Sequence, residues 1–199
     1  MSHVSSRDVE ELSDAERAFY SRQLILPEMG YEAQLALKGA RVVVLGAGGL
    51  GAPSLLYLAG AGVGHIVVID DDRVDTSNLH RQVIHTYARV GNSKAESAAE
   101  SLRALNPHIQ VDAVCARLAA ENVDELLAGA DLVLDGSDNF ESRYLVSEAA
   151  ARAGIPHVWA AILGFDAQLS VFWAGHGPVY EDLYPHAPAE GSVPSCSTA

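Results

Sequence analysis

A glycine-rich turn between two apolar runs constrains the fold of this chain more than any other feature. The turn covers residues 46–51 (GAGGLG), after the apolar run 42–45 and before a predicted helix over residues 53–61. A second apolar run, residues 65–69, ends at Asp70. Continuous apolar runs of this length are typical of parallel strands that are buried on both faces. A glycine turn that joins such a strand to a helix is the unit that binds nucleotide phosphates.

The rest of the chain continues this alternation of strands and helices. Ser13 and Glu16 match a capping box, so the first helix is expected to begin there and to stop before Pro27. A short link at Gly164 separates the last two strands and predicts an antiparallel pair. The predicted strands are 42–45, 65–69, 109–115, 131–134, 157–161 and 166–173, and the predicted helices are 13–24, 32–37, 53–61, 93–105, 121–127 and 139–153. We predict an α/β fold: a Rossmann-like, mostly parallel sheet flanked by helices, with an antiparallel extension near the C-terminus and an N-terminal helical arm.

The chain length suits one domain. Of the 199 residues, 1–12 are predicted to form a flexible arm and 13–199 a single domain. Residues 174–199 are rich in glycine and proline and show no periodicity, so they are predicted to form a long loop. Because the chain stops inside that loop, the C-terminal part of the domain is expected to be truncated.

Charge and cysteine content narrow the class of partner and the compartment. Thirteen Lys and Arg against 26 Asp and Glu give a net charge of −13, which disfavours nucleic acid and anionic membranes as partners. The two cysteines, Cys115 and Cys196, fit a reducing compartment better than a disulfide framework. No segment resembles a signal peptide or a membrane span. We therefore expect a cytoplasmic protein.

Polar residues after the second strand favour a triphosphate over a dinucleotide. The segment Ser77, Asn78, Leu79, His80, Arg81, Gln82 places hydroxyl, amide and guanidinium groups near the predicted phosphates. Arg81 and Lys94 would offset the charge of a polyphosphate. Asp70 is expected to accept hydrogen bonds from ribose hydroxyls. Two plainer interpretations stay open: Lys94 as a solvated surface residue, and one of the three aspartates at 70–72 as the cap of a turn.

The end of the strand at residues 131–134 carries a second polar group. Asp138 is a hard oxygen ligand suited to magnesium, with Asp135 as a competitor for that role. Asn139 is a candidate N-cap of the following helix. Cys196 is either a nucleophile or a small buried apolar residue. The eight histidines show no metal-ligand spacing and are predicted to have no function.

Taken together, these motifs resemble the ThiF/MoeB family, the bacterial relatives of ubiquitin-activating enzymes. The resemblance runs from about residue 13 to the end of the chain, with order and spacing in agreement. It is carried by Tyr20-Ser21-Arg22-Gln23, the turn at 46–51, Asp70, the segment 77–82, Gly91-Asn92-Ser93-Lys94, Asn106-Pro107, Asp138-Asn139 and Val193-Pro194-Ser195-Cys196.

The resemblance implies an adenylyltransferase that uses ATP and magnesium. Its substrate would be the C-terminal glycine carboxylate of a ubiquitin-like sulfur carrier protein, with release of pyrophosphate and a sulfur donor protein as a further partner. The residues that fall at nucleotide-binding positions are Gly49, Asp70, Ser77, Asn78, Arg81, Lys94, Asp138 and Asn139. Asp138 falls at the magnesium position, and Arg22 at an arginine supplied by the other subunit of a homodimer. Cys196 is a candidate for the later sulfur step.

One departure from the family concerns zinc. Many relatives carry a CxxC pair where this chain has Val179 and Asp182, so no zinc is expected. Two other functions stay open at this point: a Rossmann-type NAD-dependent oxidoreductase, favoured by the glycine turn and Asp70 alone, and a non-catalytic dimerising subunit.

Overall fold

A six-stranded sheet runs through the centre of the protein in the computed structural model, which describes residues 9–188. The strands are β1 (Arg41–Leu45), β2 (His65–Ile69), β3 (Gln110–Val114), β4 (Leu132–Asp135), β5 (His157–Leu163) and β6 (Asp166–Phe172). The helices are α1 (Asp14–Phe19), α2 (Ser21–Leu24), α3 (Gly30–Gly39), α4 (Gly51–Ala61), α5 (Lys94–Leu105), α6 (Val123–Leu127), α7 (Phe140–Ala153) and α8 (Tyr180–Leu183). The spatial order of the strands is β3-β2-β1-β4-β5-β6.

The strand order places a crevice between β1 and β4. The chain builds β1, β2 and β3 toward one edge and then returns to place β4 on the other side of β1. In open α/β sheets, ligands bind at this kind of switch point, outside the carboxyl ends of the strands. Leu45 is paired with Ile69 on one side and with Asp135 on the other, so the loops after β1, β2 and β4 leave the sheet at the same level.

The predicted fold class is confirmed. Strands β1 to β5 are paired in parallel, and β5 and β6 form the antiparallel pair. Alternate residues of β1 point to two separate cores: Val42 and Val44 pack with α4 and α5, whereas Val43 and Leu45 pack with α6 and α7. This alternation explains why the strand has no polar face.

The N-terminal arm is two helices, so the prediction of one helix to residue 24 was wrong. Ser13 forms the expected capping box with Glu16, but the helix breaks at Tyr20, whose side chain is buried. The Tyr20 hydroxyl accepts a hydrogen bond from Asn106 Nδ2 at 2.8 Å, and Gln23 Nε2 donates to Ala61 O at 3.1 Å. The chain turns at Tyr20 because these contacts with the domain outweigh continuation of a short helix.

Other details also differ from the sequence-based expectations. Leu12, at the end of the predicted flexible arm, is buried. Helix α3 extends beyond the predicted 32–37 at both ends. Within the predicted loop from residue 174, Tyr180–Leu183 form a helix, because Tyr180 packs into an aromatic cluster with Trp159 and Phe172.

No helix in residues 9–188 combines the length and apolarity needed to cross a bilayer.

Two glycines of α4 test how closely the turn packs against the helix. A Cβ at Gly51 would overlap the carbonyl oxygen of Gly46, whereas a Cβ at Gly60 would meet no atom within 4 Å. We expect Gly51→Ala to lower the free energy of unfolding by about 2 kcal/mol or more, and Gly60→Ala to raise it by about 0.5–1 kcal/mol. Urea denaturation of both variants measures this difference. Equal effects of the two substitutions would show that the turn does not pack as described.

Candidate active site

The glycine turn after β1 has a backbone conformation that its residue types permit. Gly46 has a φ of 90°, in the left-handed region that favours glycine. Its N–H donates to Ile69 O at 2.8 Å, which ties the turn to the end of β2. Ala47 is buried, and its N–H donates to Asp70 Oδ2 at 2.7 Å.

The turn presents unpaired backbone amides. Among the described residues, the N–H groups of Gly48, Gly49 and Leu50 donate to no protein acceptor. They lie directly before the first turn of α4, where N–H groups lack intrahelical partners and the helix dipole is positive. Such an arrangement binds anions, phosphates above all.

Asp70 connects the turn to the end of β2. Its Oδ2 accepts from Ala47 N–H and its Oδ1 from Asp72 N–H at 2.9 Å. Burial raises the pKa of the Asp70 carboxyl, against the opposite effects of these two hydrogen bonds and of the Lys94 charge. Each carboxylate oxygen has a second lone pair, so the expected role toward ribose stays a prediction.

Lys94 is the first residue of α5, and its side chain is not a solvated surface group. The residue is 6% exposed, and its Nζ lies 2.8 Å from Asp72 Oδ2. A buried ammonium needs a partner of opposite charge. Lys94 therefore places a positive charge beside Asp70 at the carboxyl edge of the sheet.

The polar segment after β2 is folded back toward the turn. Residues Thr76–Asn78 form a 3-10 turn, capped by the Asp75 carboxylate, which accepts from Ser77 N–H at 2.8 Å. The Asn78 amide donates to Ser77 Oγ at 3.3 Å. Arg81 is exposed, and its aliphatic stem passes Gly49: a Cβ built there would lie 3.8 Å from Arg81 Cδ. The stem of Arg81 thus lies beside the turn, and its Nη1 donates to Ser77 O at 3.4 Å in the segment that follows β2.

The end of β4 packs against the same turn. A Cβ at Gly46 would lie 3.2 Å from Gly136 O. Asp135 is fully buried, accepts from Ser137 N–H at 2.9 Å and contacts His157 Nε2 at 3.2 Å, so its oxygens face the protein interior. Asn139 is the N-cap of α7 and accepts from Ser142 N–H at 2.9 Å. Asp138 is exposed and is the carboxylate at this position that a ligand can reach.

Two side chains that the sequence did not single out support these loops. His85 is buried, with Nε2 3.0 Å from Ala47 O and Nδ1 2.9 Å from Ser97 Oγ. Arg143 is also buried, and its Nη2 donates to Ser137 O at 3.2 Å. Neither residue lies in a spacing that indicates chemistry, and their partners are remote in sequence or are backbone atoms.

Arg22 is not brought to this edge of the sheet. It is exposed on α2, next to Gln23, which binds Ala61 at the C-terminal end of α4. Helix α4 begins at the glycine turn, and at 1.5 Å per residue its two ends are about 15 Å apart. As an ordinary exposed residue of its helix, Arg22 would pair with Glu16 or Glu28. Among the described residues, Glu16 pairs instead with Lys38 at 2.9 Å. Cys196 lies outside the described residues.

Comparison with known proteins gives the family. A sequence model of the ThiF family matches residues 20–199. The chain belongs to the ThiF family. It is 56% identical over 190 residues to the Probable adenylyltransferase/sulfurtransferase MoeZ of Mycobacterium tuberculosis, covering 94% of this chain and 48% of that relative. It is 51% identical over 185 residues to the Sulfur carrier protein adenylyltransferase of Thermus thermophilus, covering 90% of this chain and 68% of that relative.

Solved structures of related proteins share the fold. The Escherichia coli tRNA N6-threonylcarbamoyladenosine dehydratase TcdA in complex with ATP matches with a TM-score of 0.71 and 31% identity, over 75% of this ThiF-family chain and 61% of that chain. E. coli MccB with ATP matches with a TM-score of 0.69 and 29% identity, over 74% of this chain and 44% of the MccB chain. The ThiF-family chain spans about half the length of the MoeZ relative.

The effect of the Lys94 charge on Asp70 can be tested by titration. The raised pKa of Asp70 means that its contribution to stability is fully present below the unfolded pKa and is lost as the pH rises through the folded pKa. Because the Lys94 charge lowers that pKa, Lys94→Gln should raise it further. Carboxyl ¹³C NMR titration measures the shift, with Lys38→Gln as the control that leaves Asp70 unchanged. An unchanged Asp70 titration in Lys94→Gln would contradict the described site.

Proposed function

We propose that this chain adenylates the C-terminal glycine carboxylate of a ubiquitin-like sulfur carrier protein. The observation that carries the proposal is the convergence, at one edge of the sheet, of unpaired turn amides with Arg81, Lys94 and Asp138. The names of the relatives agree: one is a sulfur carrier protein adenylyltransferase, and another, from Haloferax volcanii, is a SAMP-activating enzyme E1.

In the proposed complex, ATP lies across the glycine turn. The amides of residues 48–50, together with Arg81 and Lys94, face the phosphates, while Asp70 accepts from the ribose. Ser77, Asn78 and Asn139 border the same crevice. Solved relatives with bound ATP support nucleotide binding by this fold.

The carboxylate of Asp138 fits a magnesium ion. Magnesium is commonly held by one or two carboxylates together with substrate phosphates. Asp138 is exposed at the crevice, whereas Asp135 is committed to the interior. Magnesium would supply positive charge to the triphosphate, with Asp138 as its protein ligand.

The reaction joins two anions, and the site residues offset their repulsion. A carboxylate oxygen of the carrier attacks the α-phosphorus of ATP. The bond from that phosphorus to the oxygen bridging to the β-phosphorus breaks, and pyrophosphate leaves with the bonding electrons. Arg81, Lys94 and the turn amides stabilise the charge that develops on the phosphate oxygens. Holding both reactants in one crevice supplies much of the rest of the acceleration.

A homodimer completes the proposed site. Gln23 and Tyr20 dock the helix that carries Arg22 against the domain, at the end of α4 remote from the turn. Because α4 is about 15 Å long, Arg22 on this docked helix is remote from the glycine turn of its own subunit. Its proposed role is therefore toward the phosphates bound by the partner subunit.

The other predictions from the sequence concern later steps of the reaction, zinc and the environment of the protein. Cys196 is proposed to act in one of two ways: its thiolate attacks the carrier acyl adenylate and releases AMP, or it takes the sulfane sulfur of a persulfide on a sulfur donor protein, which is left as a thiolate. Val179 and Asp182 suit no zinc site: the Asp182 carboxylate accepts from Val179 N–H at 2.8 Å. We place the protein in the cytoplasm, without membrane or nucleic-acid partners.

Neither alternative function explains the site as well. An NAD-dependent oxidoreductase accounts for the glycine turn and Asp70 but gives no role to Arg81 and Asp138. A non-catalytic dimerising subunit has no need of the cations and the exposed carboxylate at the crevice.

Nucleotide choice tests the proposal directly. We expect ATP with magnesium to bind, NAD to bind at least about tenfold more weakly, and pyrophosphate to exchange into ATP when a sulfur carrier is added. Calorimetry and radiolabelled exchange measure these properties, with a carrier lacking its C-terminal glycine as the control. Tighter binding of NAD than of ATP would refute adenylation.

Mixing two inactive variants tests Arg22. Arg22→Ala and Asp138→Ala should each abolish exchange in a folded protein. In a mixed dimer, one site carries both substitutions and the other carries neither, so random pairing should restore up to about a quarter of the activity. The control mixture, Arg81→Ala with Asp138→Ala, leaves one defect in every site and should restore nothing. If mixed dimers of the first pair form without activity, Arg22 does not act across the interface.

A further inference from the structure

The histidine at position 85 holds the glycine turn at the carbonyl of Ala47, the residue whose N–H binds Asp70. It lies in the loop after β2, is 6% exposed, and reaches back 38 residues to the Ala47 carbonyl. Its other ring nitrogen contacts Ser97 Oγ in α5 at 2.9 Å. The imidazole therefore links the turn, the polar loop after β2 and the helix that begins with Lys94.

The partners of His85 determine its protonation. The Ala47 carbonyl can only accept, so Nε2 carries the hydrogen, and Nδ1 accepts from the Ser97 hydroxyl in the neutral ring. Burial lowers the pKa of His85, and the charges of Lys94 and Arg89 act in the same direction, while Asp70 and the Ala47 hydrogen bond oppose it. A neutral ring with one donor and one acceptor matches both neighbours.

Ala47 is consequently fixed at both of its peptide groups. Asp70 accepts its N–H, and His85 donates to its C=O. In a trans peptide the carbonyl and the following N–H point in opposite directions. Because His85 holds the Ala47 carbonyl in the protein interior, the N–H of Gly48 points away from that interior contact. Like the N–H groups of Gly49 and Leu50, it has no acceptor among the described residues.

We propose that His85 is a positioning residue for nucleotide phosphates, which aims the Gly48 amide by holding the Ala47 carbonyl. The proposal rests on the proposed binding of ATP at this turn. His85 touches neither the phosphates nor the carrier, and it acts through the peptide group that it orients. A purely structural histidine would fill space at this position, and its hydrogen bonds would not affect nucleotide affinity.

Three substitutions of one side chain separate these roles. Glutamine places its amide nitrogen the same number of bonds from Cα as Nε2, and so keeps the donor to Ala47. Asparagine places its amide where Nδ1 lies, which keeps a partner for Ser97 but loses the donor. Phenylalanine keeps the ring volume and loses both hydrogen bonds.

We expect His85→Asn and His85→Phe to raise the KM for ATP in pyrophosphate exchange about tenfold, with a smaller change in kcat. His85→Gln should stay within about threefold of the unsubstituted chain. If space filling alone mattered, phenylalanine would be the best replacement, and glutamine and asparagine would be equally poor. That order of affinities would overturn the proposal.

A second readout needs no nucleotide. In ¹H–¹⁵N NMR spectra of the free protein, the Gly48 amide signal should keep its position in His85→Gln and should shift or broaden in His85→Asn and His85→Phe. Unchanged Gly48 signals in all three folded variants would refute the positioning role. Failure of the unsubstituted chain to bind ATP would instead refute the proposed function, and the Gly48 signal would still test His85.

Discussion

The hydrogen bond from the Ala47 amide to the Asp70 carboxylate joins the loops after β1 and β2 at the crevice of the sheet. It satisfies a buried N–H that would otherwise cost free energy, and it fixes where the turn leaves the strand. The start of α4 depends on this placement, because Gly51 contacts the Gly46 carbonyl so closely that no side chain fits. The direction of the unpaired amides follows from the same constraint.

The crevice contains positively charged side chains although the chain as a whole is strongly negative. Acidic residues outnumber basic ones two to one, 26 to 13, yet Arg81 lies beside the turn and the charge of Lys94 lowers the pKa of Asp70. Lys94 is buried and its partner Asp72 is mostly exposed, so the ammonium is neutralised by a side chain that solvent can reach. A phosphate group can compete for such an ammonium at a smaller cost than for one paired inside the core.

Strand positions and the fold class were predictable from the sequence, whereas some helix boundaries were not. The apolar runs of β1 and β2 are buried on both faces, and strands in this environment consist of consecutive apolar residues that can be recognised in the sequence. No local sequence pattern indicates the break at Tyr20 or the helix at Tyr180–Leu183. Tyr20 turns inward to reach Asn106, and Tyr180 to reach Trp159. Contacts between residues so far apart in sequence override local propensity.

The sequence by itself determined which chemical groups the crevice contains: a glycine turn, an acidic strand end, Arg81, Lys94 and Asp138. These follow from local patterns, because a strand, a turn and a helix cap each depend on neighbouring residues. Only the tertiary structure decided which of these groups a ligand can reach. It directed Asp135 inward and left Asp138 exposed, buried Lys94 against Asp72, and placed Arg22 at the far end of α4. Burial and orientation depend on packing between elements remote in the chain, and residue spacing carries no record of that packing.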